Sequence, residues 1–323
     1  MNSYAEIRKW REQKITNVST NHEALNTFHD ELIKQSVKLA MKNVQSEWGD
    51  PPAPFAFFLM GSAGRFEQSV WSDQDHGIVF EGGDTLKPYF LKLGEEIVDG
   101  LVRVGYELCD GKVMSSNPLW CQSVTKWKEQ ITTWLHQDRW DSLRHFSTFF
   151  DSRVLIGESS LLKEMKQESF YVLEENPRLF TRLAENVGFI KKGIGFFGQL
   201  LPEQHGEYSG GIHLKQTVFF PYVNSLRLLA LHERIYVPST LSRFKGLPDK
   251  YQNIKSYEKN FIELLDFRLH LKKDAHNYQE VHHIAKKALS KEERQELKWM
   301  MKKGYKLFSE TKKIIENECS TWS

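Results

Sequence analysis

The sequence contains only three cysteines in 323 residues, Cys109, Cys121 and Cys319. No two of them stand at the spacing of zinc ligands, and an odd number argues against a framework of disulfides. Because free cysteines are usual in a reducing compartment, the composition predicts a cytoplasmic protein. The amino-terminal residues also lack the apolar core of a secretory signal peptide.

Long apolar runs and a dominant charge are absent as well. No apolar run approaches the ~20 residues of a membrane span, so no membrane association is expected. The 44 basic and 42 acidic residues are interspersed and give a net charge of +2. A nucleic-acid surface needs basic residues concentrated on one face, so nucleic acid is not an expected partner. A length of 323 residues predicts two domains.

Residues 55–80 contain two apolar runs separated by a polar segment. The first run, Phe55–Met60, is long enough for a buried strand, and the second, Gly77–Phe80, is shorter. Between them, Gly61-Ser62 breaks the first run, and residues 65–70 have the pattern of a short helix. The stretch therefore predicts a strand, a loop with a short helix, and a second strand.

Two aspartates open the second run. On a strand, Asp73 and Asp75 project from one face, and Gln74 and His76 project from the other. Adjacent carboxylates repel each other, and a divalent cation supplies a reason to place them together. Mg²⁺ is usually bound by one or two carboxylates plus substrate phosphates. Asp73 and Asp75 are therefore candidate ligands for Mg²⁺, with Mn²⁺ as the alternative ion.

The Gly-Ser turn has the properties of a phosphate site. A glycine lets a phosphate approach the backbone closely, and Gly61 supplies one. The amides that follow and the Ser62 hydroxyl stand at a predicted helix start, where anions are favoured. Arg65 adds a fork of donors that suits a phosphate.

The joint pattern resembles the nucleotidyltransferase superfamily of DNA polymerase beta type, whose signature is Gly-Ser, a spacer and Asp-x-Asp on a strand. Gly61-Ser-Ala-Gly-Arg-Phe-Glu67 followed by Ser72-Asp-Gln-Asp75 is most similar to the amino-terminal domain of PII-protein uridylyltransferases and to their uncharacterised relatives, often fused to CBS domains. Asn117-Pro-Leu-Trp120 and Phe149-Phe-Asp151-Ser-Arg153 match the same relatives. The resemblance implies that the nucleotide is contacted by Gly61, Ser62, Arg65 and Ser72.

Enzymes of this superfamily normally use a third carboxylate on a neighbouring strand, which completes the metal site and takes a proton from the attacking hydroxyl. Asp151 is the first candidate for that role here. The alternative is a structural ion pair of Asp151 with Arg153 or Arg144. Glu107 and Asp110 are the next candidates.

The resemblance and the pattern together predict an α+β fold. A helical segment, residues 1–50, packs on a small mixed-sheet nucleotidyltransferase domain, residues 51–158, and an α-helical bundle follows at residues 159–323. The other predicted elements of the catalytic domain are helices at 86–104 and 124–135 and strands at 105–109 and 145–156. His29-Asp30 is predicted to be a solvated pair on a helix surface, because the further residues of a phosphohydrolase site are missing.

The helical part resembles the substrate-binding domain of the same relatives. Lys215, Arg227, Arg243 and Arg268 are candidates for contacts with phosphates or an acidic acceptor, and Arg227 interrupts an otherwise apolar helix. The string Gly193–Gly198 matches a dinucleotide-binding pattern, but no strand precedes it, so close helix packing is predicted instead. His282-His283 has no partner at metal-ligand spacing.

Two function classes remain open. The first is an enzyme that transfers UMP or AMP from a nucleoside triphosphate to a hydroxyl of a protein or small molecule. The second is a regulatory module that binds the nucleotide without turnover and acts through a partner. The doubled carboxylate favours the enzyme. RNA end-modification would need a basic face that the composition does not show. Apolar helices at both ends leave room for a homodimer.

Overall fold

The computed structural model describes residues 1–188 and 190–320, without the side chains of residues 319 and 320, so the thiol of Cys319 lies outside it. The chain divides into two compact units, Met1–Val172 and Leu173–Ser323. The first unit holds a small mixed sheet with helices, and the second is mainly helical. The predicted α+β class is therefore confirmed, while the domain boundaries at residues 50 and 158 stay predictions.

A four-stranded sheet forms the centre of the first unit. Its strands are β1 (Phe55–Leu59), β2 (His76–Phe80), β3 (Cys121–Ser123) and β4 (Arg153–Gly157), in the spatial order β3-β2-β1-β4. β1 is antiparallel to β2 and β4, and β2 is parallel to β3. All residues of β1 and β2 are buried, as expected of central strands with continuous apolar runs.

Helices cover both faces of this sheet. They are α1 (Tyr4–Val18), α2 (His22–Trp48), α3 (Gly61–Gly64), α4 (Lys87–Val104), α5 (Val124–Gln137), α6 (Trp140–Phe150) and α7 (Ser159–Glu175). Phe55, Phe57 and Leu59 share a core with α1, α2 and α4. Phe58 points to the opposite face, where its ring meets Trp127 of α5. The amino-terminal helices thus belong to the core beneath β1.

Three predicted elements of this unit differ from the structure. The short helix after the first strand occupies Gly61–Gly64 and not residues 65–70. Residues 105–109 do not form a regular strand: Gly105 is the left-handed C-cap of α4, and Glu107 forms an isolated bridge with Asp73. Residues 145–150 belong to a helix, so the predicted strand at 145–156 is wrong in its first half. Phe146, Phe149 and Phe150 recur at the i, i+3, i+4 spacing of a helical face.

The second unit is built from α8 (Arg178–Asn186), α9 (Phe220–His232), α10 (Thr240–Gly246), α11 (Gln252–Lys255), α12 (Glu258–Lys272) and α13 (Lys291–Ser320). β5 (Gly211–His213) and β6 (His283–Ala285) pair as a two-stranded antiparallel sheet. In the described ranges, 1–188 and 190–320, no helix combines the length and the apolar character needed to cross a membrane.

The glycine-rich string of this unit is not a helix. Ile194 and Leu200 form an antiparallel bridge, and the turn between them carries Phe196 and Phe197. These two side chains are 97% and 89% exposed. The prediction that small residues here serve close helix packing holds for Gly193, on which a Cβ would lie 2.6 Å from the Met301 side chain of α13, although the string itself is not helical. Gly198, with φ +72°, allows the tight turn that carries the two aromatic rings.

Candidate active site

The two predicted metal ligands, Asp73 and Asp75, lie immediately before the first residue of β2. The backbone N–H of Met60 donates to the Asp75 carbonyl at 2.8 Å and extends the pairing of β1 with β2 by one residue. Asp73 and Asp75 are half-buried, whereas Ser72, Gln74 and His76 are buried. The alternation predicted from the sequence is present, and it aims both carboxylates away from the core.

Gly61 lies directly against one of these carboxylates. It has φ +55°, and a Cβ built on it would lie 2.0 Å from Oδ2 of Asp75. Only glycine leaves room for the Asp75 carboxylate in this position, and only glycine adopts that backbone conformation easily. The Gly-Ser turn and the Asp-x-Asp segment therefore meet in space.

A third segment, residues 107–109, lies beside Asp73 and Asp75. Residue Glu107 pairs in parallel with Asp73, and its backbone N–H and carbonyl bond Ser72 and Gln74 at 3.2 and 2.9 Å. Cys109 follows two residues later, and its Sγ lies with carboxylate oxygens of Asp73 and Asp75 within 4.8 Å of one another. Residues opposite each other, and residues two apart, share a face. Glu107 is exposed and projects from the same face as the two aspartates.

The thiol of Cys109 is held in its protonated form. Burial is the main cause that raises its pKa to about 12, and the charge of Asp75 adds to it. The donors here that suit a hard divalent cation are the carboxylate oxygens of Asp73 and Asp75, because thiolate sulfur suits softer metals. Hard oxygen donors suit Mg²⁺ and Mn²⁺. The residues present therefore fit a magnesium or manganese ion.

A buried polar chain fixes the backbone behind the aspartates. The Ser115 N–H donates to Nδ1 of His76 at 3.2 Å, and Nε2 of His76 donates to Oε1 of Gln74 at 3.1 Å. The Gln74 side chain in turn donates to the Val98 carbonyl at 3.3 Å. Burial lowers the pKa of His76 to about 3, which keeps the imidazole neutral. Each hydrogen bond restrains the strand that presents Asp73 and Asp75.

Arg65 is turned into the protein. Its Nε donates to Glu67 at 2.7 Å and its Nη1 donates to Oδ2 of Asp151 at 2.8 Å. Burial alone would lower the pKa of Arg65, but Glu67 and Asp151 outweigh it and raise that pKa above its ordinary value. Asp151 is 0% exposed. The structure thus places the predicted phosphate ligand and the predicted third carboxylate in one buried ion pair.

A second arginine holds the turn after the Gly-Ser pair. Nε and Nη2 of Arg153 donate to the Ala63 carbonyl at 3.1 and 2.9 Å, and Nη1 donates to Asp30 of α2 at 2.9 Å. The guanidinium lies 3.6 Å from the ring centroid of Phe66. Phe66 has φ +59°, a conformation that costs a bulky residue about 1–2 kcal/mol. Arg153 therefore stabilises a strained loop and ties it to α2.

Helix α2 makes further bonds to the same loop. Oδ1 of Asn26 accepts from the Gln68 N–H at 2.8 Å. Nε2 of His29 donates to the Ser69 carbonyl at 2.9 Å, and its Nδ1 accepts from the Tyr106 hydroxyl at 2.8 Å. Burial lowers the pKa of His29 to about 3. The prediction of a solvated His29-Asp30 pair is therefore wrong, because both residues support the loop from below.

The other predicted contacts face inward or lie in the second unit. The Ser72 hydroxyl is buried and accepts from Gln68 at 3.1 Å. In the second unit, Arg243 is 0% exposed and donates to the Val237 carbonyl at 2.9 Å. Arg227 donates to Asn224 of its own helix at 2.6 Å. Lys215 is half-buried beside a group of histidines.

Several supporting residues were missed by sequence reasoning. Cys109 had no visible role, and Glu107 ranked below Asp151. Glu107 and Cys109 are two residues apart, so an extended segment places them on one face. The sequence does not show, however, that this segment pairs with Asp73. Asn26 and His29 carry no local signal, because their partners lie far away in the chain.

Two family models match the chain. Residues 7–141 match the model described as "putative nucleotidyltransferase DUF294". Residues 177–313 match the model described as "putative nucleotidyltransferase substrate binding domain". A comparison with curated proteins gives no match. The first match contains the edge formed by Gly61, Asp73 and Asp75, and the two matched ranges together cover most of the sequence. The chain therefore belongs to this nucleotidyltransferase family and carries both its transferase domain and its substrate-binding domain.

Proposed function

We propose that the protein transfers a nucleoside monophosphate from a nucleoside triphosphate to a hydroxyl group of an acceptor. The proposal is carried by one observation: Asp73 and Asp75 converge beside Gly61, whose missing Cβ admits the Asp75 carboxylate. This arrangement joins a backbone that a phosphate can approach to two carboxylates that suit a divalent cation. Membership of the nucleotidyltransferase family supports the same reaction class.

Asp73 and Asp75 are the residues that would hold Mg²⁺, or Mn²⁺ in its place. When bound, such an ion neutralises charge on the phosphates and steadies the attacking and leaving oxygens. Gly61 and Ser62 would offer backbone and hydroxyl donors to the triphosphate. Arg153 and α2 hold the loop that presents them, so the donors are in place before the nucleotide arrives.

The transfer itself is an in-line displacement at the α-phosphorus. The acceptor oxygen forms a bond to that phosphorus, while the bond from the phosphorus to the oxygen that bridges to the β-phosphorus breaks. Pyrophosphate leaves with the bonding electrons, and the hydroxyl proton passes to a base. Every atom of the triphosphate is accounted for in the transferred monophosphate and the pyrophosphate.

We assign the base to Glu107 and a positioning role to Asp151. Glu107 is exposed and shares a face with Asp73, so its carboxylate is open to an acceptor hydroxyl. Asp151 is buried and bonded to Arg65, so a proton transfer to it would break an ion pair in the core. Through Arg65, Asp151 instead fixes the residues that follow the Gly-Ser turn.

The resemblance to PII-protein uridylyltransferases supports UTP as the donor and a protein tyrosine as the acceptor. ATP as the donor, and a small-molecule hydroxyl as the acceptor, are the next alternatives. The test is an incubation with each of the four α-labelled nucleoside triphosphates, Mg²⁺ and cell extract. Wild type is compared with the Asp73→Asn/Asp75→Asn double variant.

If label moves onto an acceptor with the wild type but not with the double variant, nucleotidyl transfer is supported and the nucleobase of the donor is identified. Pyrophosphate release that also requires both carboxylates would support it further. Nucleotide binding without transfer, weaker in the double variant, would favour a regulatory module instead. Neither transfer nor binding would refute the assignment of this site.

A further inference from the structure

Three histidines meet at the two-stranded sheet of the second unit. In the antiparallel pairing of β5 with β6, His213 stands opposite His283. The Leu214 N–H donates to the His282 carbonyl at 2.9 Å and brings the next histidine alongside. The His213 ring centroid lies 4.5 Å from that of His283 and 6.1 Å from that of His282. Two segments far apart in the sequence thus form one imidazole cluster.

Two nitrogens of this cluster are buried and lack a hydrogen-bond partner among the described residues. They are Nδ1 of His213 and Nε2 of His282. A buried polar atom left without a partner costs about 1–3 kcal/mol, and such atoms are rare in folded proteins. Both nitrogens are therefore expected to form hydrogen bonds with a ligand from outside this unit.

The charges around the cluster are mostly positive. Burial, followed by Lys215 and Arg268, lowers the pKa of His282 to about 2. Burial, followed by His283 and Lys215, lowers the pKa of His213 to about 4, with Glu203 acting in the opposite sense. Glu203 itself forms an ion pair with Lys191 at 2.5 Å. Burial opposes a charge of either sign, whereas the contributions of Lys215 and Arg268 favour an anion over a cation.

Aromatic rings fix the orientation of the imidazoles. Tyr208 stacks on His283 with ring centroids 4.1 Å apart and an interplanar angle of 9°. Tyr278 meets His282 edge-on at 4.6 Å. Lys215 begins a five-residue π-helical turn, Lys215–Phe219, which is separated from the end of β5 by one residue. The cluster is thus arranged before any ligand binds, which lowers the entropic cost of binding.

We propose that His213, His282, His283 and Lys215 form a binding site for a phosphate group. Imidazole N–H groups and an ammonium are single-point donors that reach different oxygens of a tetrahedral anion, whereas a planar carboxylate is better matched by an arginine fork. In the described chain, the residues whose ligand atoms converge closely enough for a metal ion do not include these histidines. An anion therefore suits the cluster better than a cation.

The role of this site rests on the proposed function. In a nucleotidyltransferase with a substrate-binding domain, the phosphate belongs either to the acceptor or to the nucleoside triphosphate. Both sources present the same tetrahedral oxyanion. The binding of phosphate by the cluster stands apart from catalysis and is measured without Mg²⁺.

The test follows the ring signals of ¹⁵N-histidine-labelled protein by NMR while inorganic phosphate is added. Sodium chloride at matched ionic strength is the control salt. His213→Gln, His282→Gln and His283→Gln assign the three signals. We expect these signals to shift together and to saturate, while the exposed His205 and His276 of the same unit do not respond. Equal shifts with chloride, or shifts confined to exposed histidines, would overturn the proposal.

The lysine is tested with a matched pair of variants. Lys215→Met removes the ammonium at the cluster, and Lys245→Met removes an exposed ammonium on α10. Since a hydrogen bond to a charged group contributes about 1.5–3 kcal/mol, Lys215→Met is expected to weaken phosphate binding by roughly 10-fold or more. Equal affinities in the two variants would count against the site.

A final arm separates the sources of the phosphate. UTP or ATP without Mg²⁺ is added to the phosphate-bound protein. If the nucleotide displaces phosphate and shifts the same three histidine signals, the site is assigned to the nucleotide. If it does not displace phosphate, the site is assigned to a phosphorylated acceptor. If the wild-type protein transfers nucleotides but shows no response to phosphate, the phosphate site is refuted and the proposed function is not. If the protein responds to phosphate but transfers no nucleotide, the phosphate site is supported and the proposed function is refuted.

Discussion

Gly61 and Asp75 are in direct contact: a Cβ at position 61 would lie 2.0 Å from Oδ2 of the Asp75 carboxylate. The contact joins the turn after β1 to the residue that precedes β2. It exists because Gly61 has φ +55° and no side chain. The position of the carboxylate and the conformation of the turn therefore depend on each other.

We expect Gly61→Ala to impair transfer more than folding. The methyl group must push the Asp75 carboxylate aside, and misplacement of a reacting group by about 1 Å can cost roughly 100-fold in rate. The left-handed backbone adds a destabilisation of about 1–3 kcal/mol. Initial rates of nucleotidyl transfer and urea unfolding measure the two effects separately.

Gly83→Ala is the matched control for that variant. Gly83 has φ −99°, and a Cβ there meets no atom within 4 Å. Its substitution should change neither rate nor stability. If Gly61→Ala proved as active as Gly83→Ala, the contact with Asp75 would have no part in the reaction.

Removal of the metal gives a second prediction. Mg²⁺ should stabilise the wild type against thermal unfolding, because an ion that binds only the folded state adds about 2.7 kcal/mol at 100 times its Kd. EDTA should reverse the gain. The Asp73→Asn/Asp75→Asn variant should show no gain, while Asp84→Asn, which alters an exposed carboxylate, should respond as the wild type. A gain of equal size in the double variant would place the ion elsewhere.

Local patterns predicted much of the first unit. The apolar runs at β1 and β2, the amphipathic helix α4 and the alternation around Asp73 and Asp75 are all present. The strand predicted at 145–156 failed in its first half because its phenylalanines follow a helical period, and Phe149 stacks on Trp127 of α5. Here the period, and not the apolar content, decides the structure.

The rest of the site depends on pairings that no local pattern carries. Arg65 looked like a phosphate ligand, yet its donors meet Glu67 and Asp151 inside the protein. His282 looked isolated, yet the pairing of β5 with β6 brings it beside His213. The residue type limits the hydrogen bonds and ion pairs that a side chain can form, whereas the fold determines which partner lies within reach.

Glu107 and Asp151 should respond differently to loss of charge. Glu107→Gln is expected to keep the stability of the wild type and to lower the rate by roughly 10²–10⁴-fold, since a general base supplies that much. Asp151→Asn leaves the buried Arg65 guanidinium with one carboxylate fewer, and breaking a buried pair costs about 3–5 kcal/mol. Transfer rates and urea unfolding of both variants decide the assignment.

Glu81→Gln, at an exposed carboxylate just after β2, is the control for the first of these variants. A full rate in Glu107→Gln would remove that residue from the reaction. A stable Asp151→Asn protein with a large loss of rate would return the base to Asp151. The pH profile adds a readout: the acidic limb of the rate should disappear when the true base is replaced.

The stability of the first unit should fall below pH 6.5. Burial lowers the pKa of His29 and His76 to about 3 in the folded protein, whereas a histidine in the unfolded chain has a pKa of about 6.5. Both imidazoles are neutral when folded, so the unfolded chain binds more protons as the pH drops from 6.5 toward 3. Stability is therefore complete above pH 6.5, and each histidine costs about 2 kcal/mol by pH 5.

Urea unfolding between pH 8 and pH 5, followed by tryptophan fluorescence, measures this loss. Seven of the nine tryptophans precede residue 172, so the signal reports mainly the first unit. His29→Gln should be less stable at pH 8, because it loses the bonds to Tyr106 and Ser69, but it should lose about 2 kcal/mol less on acidification. The exposed His136→Gln should lose as much as the wild type. An unchanged loss in His29→Gln would mean that this imidazole takes up its proton at Nδ1 in the folded state, which would end the hydrogen bond that Nδ1 accepts from the Tyr106 hydroxyl.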